Sequence, residues 1–369
     1  MTKNDRERTD FLVNRGDWHQ CRTARAPIAE LKTNEVSFRI DRFAFTANNV
    51  TYAVVGDMLG YWNFFPTGEE GWGKLPVWGF ADVEGSGHSG VKEGDRYFGC
   101  WPSSTHLTVL ADRIDETGLI DASPHRREYA AVYSQYARVA ADPHYDPAHE
   151  ARHALFRPLF MTAFLIDDLI ADNDFFGART VALASASSKT AIALAFLLSG
   201  RKACKVVGLT SKRNCDFVES VGCYDTVVPY EEIGSLPKEP AVLVDMAGDA
   251  EVLAAFHRHV GDGVKYSCLV GATHWDRGAI AEGPPAGLPG AQPQFFFAPT
   301  QAEQRIEDWG LEGLRDRMGR AWTAFRDSTQ RWLEVEEENG PAALERVYLE
   351  TLDGKVEPSV GHVLSLRTG

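Results

Sequence analysis

The sequence predicts an α/β protein built from a mainly β part and a doubly wound parallel sheet. Two observations carry this. Between residues 179 and 270, short apolar runs alternate with stretches of helical spacing. Before about residue 150, alternation at 35–49 and a stretch rich in Gly, Pro and aromatics at 61–99 read as mostly β with irregular loops. The length of 369 residues exceeds what one core organises, so two domains are expected. With 44% hydrophobic and 24% charged residues, the composition is that of a globular chain.

In chain order, roughly the first 20 residues read as a polar lead-in. Residues 35–49 (EVSFRIDRFAFTANN) place Val36, Phe38 and Ile40, then Phe43 and Phe45, as one or two half-buried strands. Residues 61–99 are rich in Gly, Pro and aromatics, which suits short strands between turns. Within them, 91–99 (VKEGDRYFG) read as a turn and a strand. Residues 179–184 (RTVALA) then form a short buried strand, and 185–189 (SASSK) a small-residue turn. Residues 190–198 are an apolar helix ended by Gly200. Strands follow at 204–209, 226–228, 241–245 and 266–270, with helices at 214–221 and 252–260. Continuous apolar strands separated by helices imply a parallel sheet covered on both faces. Residues 280–294 read as a loop, and 301–335 as helical with charged faces. Residues 335–339 (VEEEN) read as a solvated helix end, and about the last 20 residues as extended, returning to the first domain.

The net charge of −14 gives a surface that repels phosphate backbones, so nucleic acid is not an expected partner. The longest apolar stretch, 190–199, is far short of the ~20 residues that span a bilayer, so no membrane partner is expected. The charged N-terminus has no apolar run of signal-peptide type. Cys21, Cys100, Cys204, Cys215, Cys223 and Cys268 are scattered without a Cys-x-x-Cys pair. Free thiols and a cytoplasmic location are the expectation.

The strand–turn–helix at 179–198 is the unit that holds dinucleotides, with a pyrophosphate at the helix N-terminus. The usual fingerprint carries three glycines. Here Ala184, Ser185, Ala186, Ser187, Ser188, Lys189 and Thr190 contain none. Small side chains still permit close approach, the hydroxyls of Ser185, Ser187, Ser188 and Thr190 can donate to phosphate, and Lys189 adds a positive charge. After the second strand an NAD site places a carboxylate for the ribose. This chain has Ser211, Lys212 and Arg213 instead, which suit a 2′-phosphate. NADP(H) is therefore the expected cofactor. Without those contacts, the turn would be an ordinary strand-to-helix connection and the two cations a solvated surface.

The stretch VALASASSKTAIALAFLLSGRKACKVVGLTSKRNCDFVESVGCYDTVVPY resembles the cofactor domain of the medium-chain dehydrogenase/reductase superfamily, in its zinc-independent quinone oxidoreductase and enoyl reductase branch. PLFMTAFLI, NEVSFRIDRFAFTANNVTYAVVGD and LPVWGFADVEGSGHSGVKEGDRYFG resemble other segments of that family, loosely covering residues 30–275. The resemblance implies a GroES-like catalytic domain over 1–157 with 336–369, and a Rossmann-type NADP(H)-binding domain over 158–335. It implies Thr162, Tyr230 and Gly271 as further cofactor contacts. It also implies Asn49 and Tyr52 beside the nicotinamide, and a homodimer joined through the sheet edge near 266–270. The chain departs from the family in its glycine-free turn, its shorter tail and its longer helical stretch after 301.

The family's zinc-dependent members carry a catalytic Cys, a Gly-His-Glu segment and a four-cysteine lobe. Here Cys100 is alone and Gly79-Phe80-Ala81 stands in place of that segment. His257 and His259 lie two apart on a helix and so face different ways. His144 and His149 with Asp142 and Asp146 read as a polar loop rather than a site. No metal is expected. What the resemblance implies chemically is hydride transfer to the β-carbon of an activated alkene or to a quinone. A donor must then meet the charge that develops on the carbonyl oxygen. Tyr52 is the first candidate and Tyr61 the second, with Asn49 orienting the substrate. Tyr61, Trp62, Phe64, Phe65 and Trp78 could wall a flat apolar or aromatic substrate, or form an aromatic core. Two other readings stay open: a carbonyl or alcohol dehydrogenase without zinc, and a non-catalytic cofactor-binding or structural relative.

Overall fold

The computed structural model describes residues 6–270 and 284–367. The chain forms two compact units. One comprises Met1–Leu155, Val335–Val356 and Val360–Gly369; the other comprises Phe156–Glu334 and Glu357–Ser359.

The first unit opens with an antiparallel hairpin, β1 (Glu7–Asn14) and β2 (Asp17–Pro27), where the sequence suggested a polar lead-in. The apolar residues that hold it are Phe11, Leu12 and Val13, all buried, while β2 is largely exposed. So short an apolar run is unreadable without its partner. β3 (Glu35–Phe45) buries Val36, Phe38 and Ile40, then Phe43 and Phe45. The change of phase has a physical cause: its pairing slips between Ile40 and Arg42, so the side chains change face there. Helix α1 (Ala47–Val54) follows at once, where more strand and a loop were expected. Thr46 accepts from the Asn48 N–H while Asn49 reaches back to the Thr46 N–H, a reciprocal cap that starts a helix.

The short β4 (Trp72–Gly73) pairs with β1. Next come β5 (Pro76–Ser86), β6 (Arg96–Pro102), β7 (His106–Asp112), β8 (Gly118–Asp121) and β9 (Gln135–Arg138). Antiparallel pairings run β3-β5-β6-β9-β8-β7, and β7 pairs back to β3, so the strands close into a ring. Phe38, Trp101 and Tyr136 pack together inside it, with centroids 4.4–5.7 Å apart. Arg96 ties three segments by reaching Asp41 at 2.7 Å, Asp82 at 2.8 Å and Glu150 at 2.6 Å.

Helix α2 (Glu150–Asp172) leads into the second unit. There β10 (Thr180–Ala184), α3 (Lys189–Arg201), β11 (Lys205–Thr210), α4 (Cys215–Val221) and β12 (Thr226–Pro229) alternate. They are followed by β13 (Ala241–Asp245), α5 (Ala250–Val260), β14 (Val264–Leu269), β15 (Gln294–Phe295) and α6 (Ala298–Ser328). All the pairings are parallel, in the order β12-β11-β10-β13-β14-β15. Counted from β10 this is 3-2-1-4-5-6, the Rossmann arrangement, whose order reverses between β10 and β13. Gly200 does not end α3; the helix continues to Arg201 and Lys202 takes the left-handed cap with φ 55°. The strand near 266–270 is not the sheet edge, because β15 pairs outside it.

The chain closes with β16 (Glu334–Asn339), α7 (Pro341–Leu352) and β17 (Val360–Ser365). The acidic stretch expected to end a helix is therefore a strand at the margin of the first unit's sheet. It pairs with β17, which pairs with β3. Charged side chains on a marginal strand deter further pairing, and they conceal its strand character in the sequence.

Candidate functional site

The turn after β10 is built without glycine. Ser185 takes φ +57°, the left-handed conformation for which glycine is the usual choice. Two tyrosine hydroxyls hold it there. The Ser185 N–H donates to Tyr230 at 3.1 Å, and Tyr224 donates to the Ala186 carbonyl at 2.8 Å. Gly208 on β11 makes room, since a Cβ there would meet the Tyr224 ring at 2.9 Å and Ala186 Cβ at 3.0 Å. Ser188 caps α3 by accepting from the Ala191 N–H at 3.3 Å. Ser187 accepts from Asn214 at 3.0 Å, which ties the turn to the segment after β11. Lys189 and Thr190 begin the helix, both half-buried. Lys189 Nζ donates to the Pro358 carbonyl at 3.4 Å, and desolvation brings its pKa down to about 8. The first turn of a helix leaves backbone N–H groups without intrahelical partners, and a cation beside them adds to a site for negative charge.

Ser211 begins a short turn after β11, with Lys212 and Arg213 exposed. Thr162 lies on α2 and donates to the Pro158 carbonyl at 3.3 Å. Gly271 lies outside the described residues. Sequence reasoning missed Asp245, at the carboxyl end of β13 beside Ala184. It is fully buried; Oδ1 accepts from the N–H groups of Ala247 (2.7 Å) and Gly248 (3.2 Å). Oδ2 has no hydrogen-bond partner among the described residues. Burial raises this carboxyl to about 7, with the Asp249 charge adding to the rise. Nothing in an apolar strand ending in Asp announces this, because AVLVD reads as ordinary core.

In the first unit, several of the aromatic residues singled out in the sequence join one cluster through Tyr61 and Tyr133. Tyr52, Tyr61, Phe64, Phe65 and Trp78 are all buried. The Tyr52 and Tyr61 rings lie 4.7 Å apart. Trp78 Nε1 donates to the Tyr52 hydroxyl at 3.0 Å, and Tyr61 and Tyr133 share a hydrogen bond of 2.8 Å. Burial raises the Tyr52 phenol far above its ordinary value and Tyr61 to about 12. Asn49 belongs to the cap of α1; its amide also donates to the Pro76 carbonyl at 2.8 Å, so both ends of the side chain hold backbone. Tyr133 and the buried Arg126 were not singled out in the sequence. They lie in loop residues 122–134, which carry no periodic signal.

The histidines set aside as ligands have other partners. His257 sits in the core with Nδ1 2.9 Å from the Pro289 carbonyl and Nε2 2.9 Å from Ser267. His259 lies 2.7 Å from the Leu236 carbonyl. Asp142 accepts from the His144 N–H, and His149 faces Asp146 at 3.7 Å. Burial pushes the Cys100 thiol up to about 12. Glu336, Glu338 and His362 bring ligand atoms within 4.8 Å of one another, and Arg346 engages both oxygens of Glu338.

The chain belongs to the family described as "Protein of unknown function (DUF2855)", whose model matches residues 43–357. The comparison with curated proteins found no match. Among solved structures, it is similar to CurA from Vibrio vulnificus in complex with NADPH. That likeness has a TM-score of 0.63 at 12% identity and covers 98% of this chain and 100% of the other. It is also similar to a putative NADPH:quinone reductase from Mesorhizobium loti, with TM-score 0.61, 11% identity and coverage of 97% and 98%. A mutant enoyl thioester reductase from Candida tropicalis gives 0.58 at 11%, covering 97% and 99%. At such identities these likenesses establish a shared fold.

Proposed function

We propose that this chain is an NADP(H)-dependent, zinc-independent oxidoreductase that reduces an activated C=C bond, of an enone or enoyl thioester, or a quinone. The observation that carries this reading is the Ser185–Lys189 turn at the order reversal of a 3-2-1-4-5-6 parallel sheet, where dinucleotides bind in such folds. The residues there fit the group. The turn has only small side chains before Lys189, α3 presents a capped N-terminus, and Lys189 supplies charge. Lys212 and Arg213, exposed after β11, suit a 2′-phosphate. The NADPH complex of the similar CurA and the reductase names of the other two structures support the same reading.

The bound cofactor would supply the hydride. The chain's own residues do the rest. Ser188 and Lys189 would hold the pyrophosphate, and Tyr230 keeps the turn in place by accepting from the Ser185 N–H. The first unit, which we read as a GroES-like catalytic domain, supplies the proton from a phenol and an aromatic wall for an apolar substrate. Tyr61 suits the acid better than Tyr52, because burial raises Tyr52 further and its oxygen already accepts from Trp78. Zinc independence is supported by Cys100 being fully buried, with burial pushing its thiol up to about 12.

Thermal-shift titration with NADPH and NADH tests the reading. Ligand that binds the folded state raises its stability as RT ln(1 + [L]/Kd). NADPH should shift melting far more than NADH, and Lys212→Ala with Arg213→Ala should erase the difference. No shift with either nucleotide would retire the reading.

A further inference from the structure

We propose that Tyr133 and Arg126 are positioning residues that make Tyr61 a two-phenol proton donor. This rests on the reductase reading above, in which a phenol of the first unit protonates the reduced substrate.

The geometry begins with two loops. Tyr61 opens a short 3-10 turn, Tyr61–Asn63, directly after Gly60. Gly60 has φ +75°, and a Cβ there would meet the Tyr129 ring at 2.4 Å, so the turn enters on a backbone only glycine accommodates. Tyr133 ends another 3-10 turn, Ala131–Tyr133. Strand pairing does not dictate the registry of these two turns. Yet their hydroxyls meet at 2.8 Å, both phenols being nine-tenths buried or more.

Arg126 joins the loops. It is 1% exposed, and its guanidinium donates to neutral oxygens on both sides: the Phe64 carbonyl at 3.1 Å, the Tyr133 carbonyl, and Ser134 Oγ at 3.4 Å. It also lies over the Phe64 and Phe65 rings, 5.1 and 4.6 Å from their centroids. Burying a guanidinium against neutral partners is costly, so a rigid multi-donor fork is an expensive way merely to fill space. What the fork achieves is a fixed distance between the segment after Tyr61 and the backbone of Tyr133.

By geometry either hydroxyl can donate in the shared bond. One shared hydrogen bond uses one hydrogen, so if Tyr133 donates, the Tyr61 hydrogen is left to pass on. Burial raises both phenols, but the shared bond lowers Tyr61 and raises Tyr133, which makes Tyr61 the better acid. In the step this serves, a hydride forms the new C–H bond at the β-carbon and the π electrons move to the carbonyl oxygen. That oxygen takes the Tyr61 proton. The tyrosinate left behind accepts from Tyr133, and water returns its proton. The alkene gains two electrons, which the nicotinamide loses.

The test places 3-fluorotyrosine at position 61 of the full chain and follows its fluorine resonance through an alkaline titration. Tyr133→Phe should move that titration up by about one unit, the value of one hydrogen bond. Arg126→Gln should move it in the same direction, and Arg126→Lys should restore part of the shift. In turnover of 2-cyclohexen-1-one with NADPH, Tyr133→Phe should lower kcat by about tenfold while the NADPH Kd stays unchanged. Should Arg126→Gln fail to fold by circular dichroism, Tyr133→Phe and Arg126→Lys still decide. An unmoved titration in Tyr133→Phe overturns the pair. A moved titration in a protein that reduces neither enones nor quinones overturns the acid role through the failure of the reductase reading.

Discussion

Lys189 and Asp245 carry the residue-scale consequences. In the proposed reading, Lys189 substitutes charge for the close backbone approach that glycines allow. Lys189→Met should weaken NADPH by about 10- to 100-fold, the worth of a charge-assisted bond, in calorimetric titration. Desolvation holds this amine at about 8 in the folded protein, so it is charged below that pH. Wild-type affinity should fall as pH rises through about 8, and the Met variant should show no such step. Parallel profiles would remove Lys189 from the site. Asp245 works on stability instead. Its folded pKa of about 7 lies above the unfolded carboxyl's ~3.9, so between those values only the folded state keeps the proton. The unfolded state binds fewer protons there, and stability falls as pH rises across that window, levelling above about 7. Asp245→Asn should flatten that slope in urea melts; an unchanged slope would place it on another group. Neither property was legible in the sequence. Lys189 was visible as a cation at a helix start, but its burial and its hydrogen bond to Pro358, 169 residues away, were not.

At the scale of elements, the parallel sheet was the most legible part. β13 runs Ala241–Asp245, the bounds its apolar run marks, because a strand buried on both faces must be apolar throughout. β1, β16 and α7 were not legible, since each takes its stability from a distant partner: Phe11 on β1 packs 5.5 Å from Tyr348 on α7. Two element-level tests follow. Ser188→Ala removes the cap of α3 and should cost about 1 kcal/mol in chemical denaturation, the usual worth of an N-cap. Gly79 is explained by packing: a Cβ would lie 2.1 Å from the Arg42 carbonyl on β3. Gly79→Ala should separate β3 from β5 and lower the melting temperature of the first unit sharply. An unchanged melt would show that the strands part at no cost.

Across the whole molecule, the thiols and the charge set what the protein can meet. All six cysteines are free, and each has its pKa raised, with burial the leading cause. Ellman's reagent should therefore label the native chain slowly at neutral pH and all six thiols only after denaturation. A fast-reacting thiol in the native protein would contradict this. No helix among the described residues is long and apolar enough to cross a membrane. By itself, the sequence determined the alternation of strand and helix, the glycine-free turn between β10 and α3, and the cations at and after it. These follow from local periodicity and local chemistry, which a chain carries in any conformation. Only the tertiary structure decided that Tyr230 and Tyr224 hold the turn and that Asn49 is spent on a helix cap. It alone decided that Tyr61 meets Tyr133 under the hand of Arg126. Those contacts join residues tens of positions apart, and no local pattern encodes a distance that the fold alone closes.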